Sequence, residues 1–436
     1  MKKIASDFAR QPTASIPQAS QNWAATKGAY RFFDNDAVTM EKILENHRLA
    51  TIDRIGQEPL VFIIQDTTDL NYSAHPETEG LGPIANNAQK TKGLFVHGSL
   101  ATTPQGVPLG IIDAQIYARD PKEFGDSKKR NSEPIEEKES FRWLKSFKVV
   151  QQLALLAPET RLVSIADREA DIYELLAMAA EHDNKAGLLV RSQHNREVEH
   201  EEKRLWKRLH GQPVAATLAV KLPPGPGKRA RTAILSIRFA AVTLKAPLLK
   251  EGKPSIETWA VEALEQNPPS GVEPVCWRLL TNVPVFTARD ALERVGWYKQ
   301  RWLIEVFHRV LKSGCKIEER QLETAERLRT CAALDLVVAW RILFLTTQCR
   351  YTPNAPASAY FAEHEWKALY CYIHRTNQPP AKAPELRQTV RWIAQLGGFL
   401  GRKGDGNPGP TTLWRGLQRL EDIAAAYLVF NPQTCG

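Results

Sequence analysis

Three acidic residues stand where a carboxylate can do more than face solvent. Asp66 follows the apolar run 60–64 in PLVFIIQDTTD, Asp167 closes the run 161–166 in RLVSIADREAD, and Glu305 lies inside YKQRWLIEVFHRVLK, residues 298–312. Short continuous apolar runs read as buried central strands. Side chains at the ends of such strands can meet along one edge of a sheet however distant they are in sequence. Hard oxygen ligands without histidine or thiolate suit Mg²⁺ or Mn²⁺ rather than zinc. A pair of these ions can activate a nucleophile on one side of a phosphodiester and stabilise the leaving oxygen on the other. The plainer readings stay open. An Asp at a strand end also forms turns and caps helices. Glu305 can pair along a helix with Arg301 and Arg309 for about 0.3–0.5 kcal/mol each, and Asp69, Asp113, Asp120 and Asp171 compete as candidate acids.

Residues 298–312 contain no Gly or Pro, and their apolar positions recur three and four apart, so they read as one helix. At about 100° per residue, Tyr298, Arg301, Glu305, His308, Arg309 and Lys312 share a polar stripe, with Ile304, Val306, Phe307, Val310 and Leu311 opposite. One acid among cations and a phenol suits a metal ligand flanked by groups that grip phosphates. His308 is read as a polar-face residue and Trp302 as packed at the helix edge.

With 436 residues, two or three domains are expected, and 43% hydrophobic content supplies their cores. The net charge of +9 favours a polyanionic partner. Six cysteines with no C-x-x-C pair argue against a zinc site or a disulfide framework and for reduced, packed thiols. MKKIASDFARQP lacks the apolar core of a signal peptide. The most apolar stretch, 331–347, carries Asp335 and Arg341 and so reads as a core helix rather than a membrane span.

The elements that must position the acids follow in order. Residues 1–58 read as mainly helical. Runs 93–102 and 107–117 form a hairpin around TPQG, and 140–156 is a helix. Asp171 with Glu174 has capping-box character, so a helix is expected from there to about 182. From 187 to 283, strand-like runs at 188–191, 215–222, 232–239, 242–245 and 275–281 alternate with Pro/Gly turns. A long helix at 325–348 and further helices to 436 complete the chain. The division is a helical region 1–58, a catalytic domain 59–350 with a β-rich insertion at about 187–283, and a helical domain 351–436.

QDTTDLNY around Asp66, ADREADIYE around Asp167 and YKQRWLIEVFHRVLKSG around Glu305 together resemble the bacterial cut-and-paste DDE transposases of the insertion-sequence-four family, in particular the transposon-five kind. The last stretch matches the Y-x2-R-x3-E-x6-K signature at Tyr298, Arg301, Glu305 and Lys312, and GAYRFFDN (28–35) and LGGFL (396–400) extend the likeness to both ends. The resemblance implies an α/β fold: an RNase H-like core with a β-rich insertion, between helical N-terminal DNA-binding and C-terminal dimerisation regions. It implies that Asp66, Asp167 and Glu305 bind two Mg²⁺ ions (Mn²⁺ substituting). The expected reactions at the transposon end are nicking, hairpin formation, hairpin opening and strand transfer into target DNA. By the same likeness, Tyr298, Arg301 and Lys312 grip phosphates around a flipped base, and Trp277 supports the distortion; on residues alone Trp277 reads as a strand core residue. Arg191 and KRAR (228–231) are candidate backbone contacts, the latter equally a solvated turn. The implied partners are the terminal inverted repeats, target DNA and a second copy of the chain, in a bacterial cytoplasm. The family member has about thirty residues before the point matching Met1, by an alignment whose boundaries are approximate. A shortened chain suggests an alternative, a non-catalytic DNA-binding or dimerising regulator. A nuclease without strand transfer is a third reading, which leaves the Tyr-Arg-Lys set without a use.

Overall fold

The apolar run before Asp66 becomes an interior strand of the sheet. In the computed structural model, which describes residues 1–20, 22–85, 91–121, 133–222, 230–247 and 252–431, strand β1 spans Leu60–Asn71. Phe62 and Ile64 enter the core that holds Phe307 and Leu311, while Val61 and Ile63 enter a second core with Trp143 and Phe147. Alternation along a strand sends successive side chains to opposite faces, so a run apolar at every position must be covered on both. β1 does not stop at Asp66, contrary to the sequence reading. It continues past the acid because it pairs antiparallel with β3 (Lys92–Thr102) as far as Asn71.

The remaining strands are β2 (Gly82–Pro83), β4 (Pro108–Tyr117), β5 (Arg161–Ala166), β6 (Gly187–Arg191), β7 (Ala216–Leu222), β8 (Arg231–Leu244), β9 (Ile256–Glu265) and β10 (Cys276–Thr281). They join one mixed sheet in the order β2-β3-β1-β5-β6-β10-β9-β8-β7, with β4 on β3. The β3–β4 hairpin is as expected. β1, β5 and β6 run parallel, whereas β3 and β4 are antiparallel. The β-rich stretch extends the same sheet: β10 pairs with both β6 and β9. Two expected runs, 232–239 and 242–245, are one strand, β8, and its partner β9 escaped sequence reading. IETWAVEALE mixes β-branched residues with an Ala-Leu-Glu tail of helical character, and register with β8 and β10 decides for strand.

Helices α1 (Lys2–Arg10), α2 (Ile16–Ser20), α3 (Trp23–Phe33) and α4 (Met40–Ile55) precede the sheet. α5 (Phe141–Leu156), α6 (Tyr173–Ala179) and α7 (Leu205–His210) lie between its strands. α8 (Ala288–Lys299), α9 (Trp302–Arg309), α10 (Ala325–Tyr351), α11 (Glu363–His374), α12 (Leu386–Leu396) and α13 (Pro410–Phe430) follow it. The single helix expected over 298–312 is broken twice. α8 ends at Lys299, a tight turn in which the Ile304 amide donates to the Arg301 carbonyl (3.2 Å) leads into α9, and Val310–Gly314 is a π-turn closed by Cys315 N–H on Val310 O, 2.9 Å. The π-turn sets the Cα of Gly314 against the Trp414 indole of α13, where an added Cβ would lie 3.0 Å from the ring. Extra residues of this kind inside helices recur at functional sites.

The N-terminal helices are anchored by a buried ion pair. Arg320 donates from Nε (3.0 Å) and Nη2 (2.7 Å) to the Asp335 carboxylate and from Nη1 to the Ala14 carbonyl (2.6 Å), with its guanidinium 4.4 Å from the Phe8 ring centroid. Asp335 thus sits in a core helix, as the sequence suggested, and its charge is met. Cys315, Cys331 and Cys349 are buried free thiols, and Cys276 and Cys371 are free and half-buried; Cys435 lies outside the described residues. Among the described residues no helix is long and apolar enough to cross a membrane.

Candidate active site

Asp66 and Asp167 are brought together by strand register. β1 and β5 pair in parallel, with Ile64 opposite Ile165. Two residues further along each chain, the same register sets Asp66 opposite Asp167, where β5 has ended and β1 continues alone with β3. Asp167 also fulfils its plainer role: its Oδ1 accepts the Glu169 amide (2.9 Å) and caps the 3₁₀ turn Arg168–Ala170. Asp66 Oδ1 accepts the Thr67 amide (2.9 Å).

Glu305 reaches the pair through Arg301. The guanidinium approaches Asp66 Oδ2 at 3.5 Å with Nη1 and bonds Glu305 Oε1 with Nη2. Asp66 is largely enclosed, and burial, then the charge of Asp167, push its carboxyl up to about 7, with Glu305 adding to the rise while Arg301 and the Thr67 amide oppose it. The strand register thus brings Asp66 beside Asp167, and Arg301 links Asp66 to Glu305. Among the described residues no three Asp, Glu, His or Cys side chains are grouped so that they could hold a metal ion, and Arg301 is the cation that joins Asp66 to Glu305. In donor chemistry alone, three carboxylates are the kind of hard oxygen set that Mg²⁺ or Mn²⁺ takes.

The competing acids have other occupations. Asp69 takes Lys312 at 3.4 Å, Asp113 accepts from the Ser146 hydroxyl at 2.6 Å, and Asp171 is buried against Arg196 at 2.6 Å. Asp171 therefore does not cap the following helix, which begins at Tyr173 behind Ile172 without a side-chain cap. A buried carboxylate given an arginine fork is worth more there than as a surface cap.

Of the residues expected to hold DNA, Tyr298, Trp277, Arg191 and Arg301 cluster. Trp277 meets Tyr298 edge-on at 5.7 Å between centroids, and Arg191 donates to the Cys276 carbonyl at 3.0 Å. Burial raises the Tyr298 phenol, while the charges of Arg301 and Arg191 draw it back and Asp167 pushes it further up. Lys312 stands apart, turned by the π-segment toward Asp69 and toward Glu318 at 3.8 Å. The single polar stripe is therefore corrected. Tyr298 and His308 are buried, and burial, then Lys312 and Arg301, lower the His308 imidazole to about 3. Trp302 is 61% exposed rather than packed. Arg231 pairs with Glu265 rather than remaining free, and 228–229 lie outside the described residues.

Sequence reading missed Arg142 of α5 and the buried His97 of β3, both joined to Thr67 beside Asp66. Neither carries a spacing signal, because each acts across a long sequence gap.

Comparison with known proteins finds likeness to transposase domains at both ends of the chain. Residues 1–38 match the family described as transposase DNA-binding. More particularly, residues 337–428 match the transposase Tn5 dimerisation domain, a match that begins inside α10. A piggyBac transposase in a cryo-EM synaptic complex with hairpin DNA aligns over 99% of this chain and 71% of its own, at 10% identity and a TM-score of 0.37. That likeness is too low to bear on the fold.

Proposed function

We propose that the protein is a cut-and-paste DNA transposase whose Asp66, Asp167 and Glu305 hold divalent metal ions on an RNase H-like core. The observation that carries the reading is the parallel register that sets Asp66 beside Asp167, with Glu305 tied to Asp66 by Arg301. The strand order β4-β3-β1-β5-β6, antiparallel on one side of β1 and parallel on the other, supports an RNase H-like core. The domain matches at both ends support a DNA substrate and a dimer.

Mg²⁺, with Mn²⁺ as substitute, would supply an activated oxygen nucleophile and charge stabilisation at the leaving oxygen of an in-line phosphoryl transfer. Nicking, hairpin formation, hairpin opening and strand transfer are transfers of that one type, so one set of carboxylates serves them in turn. As ligands, all three acids stay ionised, Asp66 included. Arg301, once released from Glu305, would bind the phosphate next to the cut. Tyr298 and Trp277 form an aromatic wall beside it, and base stacking there can offset the few kcal/mol of unstacking a base near the nick. Arg191 adds positive charge behind that wall, and Lys312 can exchange Asp69 for a phosphate one turn away.

The test is incubation of the protein with Mg²⁺ and DNA bearing the element's terminal inverted repeats. Nicks and hairpins are expected, and Glu305→Ala should abolish them while leaving end binding intact. DNA binding and dimer formation by the wild type without any cleavage would overturn the enzyme reading in favour of a DNA-binding regulator.

A further inference from the structure

We propose that Arg142 is a positioning residue that clamps the Asp66 strand to the Asp167 turn and so sets the span of the metal site; the inference rests on the three-carboxylate reading. Arg142 lies in the first turn of α5, with its side chain 11% exposed. Its Nε donates to Thr67 Oγ1 at 3.0 Å and its Nη2 to Glu169 Oε2 at 2.7 Å. Those two residues are the ones whose backbone amides donate to Asp66 Oδ1 and Asp167 Oδ1, each at 2.9 Å. One guanidinium thus reaches the partner of each aspartate without touching either acid.

The clamp is itself held from behind. Nη1 donates to the Glu139 carbonyl at 2.9 Å, and the Arg142 carbonyl accepts from Gln115 of β4 at 3.0 Å. Thr67 Oγ1 also lies 2.9 Å from His97 Nδ1. Arginine can only donate, so the threonine oxygen accepts from Arg142 and shares a second hydrogen bond with His97 Nδ1. His97 is itself completely buried. Glu169, Arg142, Thr67 and His97 thus form a continuous line of hydrogen bonds behind the two aspartates.

The two arginines of the site have opposite duties. Arg301 contacts the carboxylates and must leave Glu305 when cations enter. Arg142 contacts their neighbours and can stay. Lysine cannot replace it, because an ammonium lacks the planar fork that reaches three residues in fixed directions.

The experiment uses the full chain and Mn²⁺ as probe, with bound ion counted by the loss of the free-Mn²⁺ electron paramagnetic resonance signal. Groups that orient metal ligands typically contribute about 10–100-fold in affinity. Half-saturation should rise by that factor in Arg142→Gln and in Glu169→Gln, and Arg142→Lys should not restore it. Nicking by Glu169→Gln at saturating Mn²⁺ should return to within a few-fold of wild type. Glu169 is 61% exposed at its side chain, so its variant should melt like the wild type and decides the matter if Arg142→Gln does not fold. Wild-type Mn²⁺ affinity in folded Glu169→Gln would overturn the positioning role alone. A wild-type protein that takes up no Mn²⁺ would overturn the carboxylate reading, and the clamp with it.

Discussion

Replacing Asp66 by Asn should stabilise the metal-free protein at alkaline pH while destroying its activity. The magnitude follows from the enclosure of Asp66. Its carboxyl is held at about 7 instead of the ordinary 3.8, and each pH unit of that gap is worth roughly 1.4 kcal/mol. Keeping the acid ionised in the fold therefore costs about 4 kcal/mol, or about 3 kcal/mol once its 18% exposure is discounted. Asn imitates the protonated acid and keeps an oxygen for the Thr67 amide. The sign is fixed by the upward shift: the folded state binds the proton more tightly, so wild-type stability is greatest below about pH 4 and is lost as pH rises toward 7. Thermal melts in EDTA should show the variant roughly 6 °C above the wild type at pH 8, at about 2 °C per kcal/mol for a large chain. The gap should shrink to about 1–2 °C at pH 4.5 and close by about pH 3. Millimolar Mg²⁺ should raise the wild type more than the variant, because only the wild type keeps the full ligand set. A variant that melts below the wild type at pH 8, or a gap that does not change with pH, would refute the view of Asp66 as a buried acid crowded by Asp167 and Glu305.

Three further substitutions probe the scaffold. Asp335→Asn strands the Arg320 guanidinium in the core and should cost about 3–5 kcal/mol, read as a lower melting temperature and earlier proteolysis of α1 and α2, which Arg320 ties down through Ala14 and Phe8. Gly314→Val drives methyl groups toward the Trp414 ring, already 3.0 Å from an ideal Cβ, and should cost about 1–3 kcal/mol by overpacking, seen in urea denaturation. Trp277→Ala removes the edge partner of Tyr298. Hairpin formation at the transposon end should fall at least tenfold in single-turnover assays, with binding to intact ends changed less than threefold, as expected for a loss of about 1–3 kcal/mol of stacking.

The strands that carry the two aspartates were legible because a run apolar on both faces has few places to go but a sheet centre. The meeting of Asp66 and Asp167 was legible for a related reason: acids that follow two neighbouring parallel runs fall at the same level of the sheet. What escaped was set by pairing rather than pattern. β1 passes beyond Asp66 because β3 offers a long partner, and β9 is a strand because β8 and β10 flank it, neither of which local propensity reports. Periodicity between 298 and 312 gave a correct inner face, with Ile304, Phe307 and Leu311 buried. It could not foresee that a tight turn and a π-turn would swing Lys312 away and bury His308. Arg142 and His97 were silent because their partners lie across strands and helices, and polar groups that serve other polar groups leave no periodic mark.

The central claim is that Asp66, Asp167 and Glu305 share metal ions. It is tested most directly by anomalous X-ray scattering from crystals of the protein grown with transposon-end DNA and Mn²⁺. Manganese peaks are expected among the three carboxylates, with Arg301 withdrawn from Glu305 onto a phosphate. Manganese bound elsewhere, or none at all with Arg301 still bridging Asp66 and Glu305, would contradict the claim.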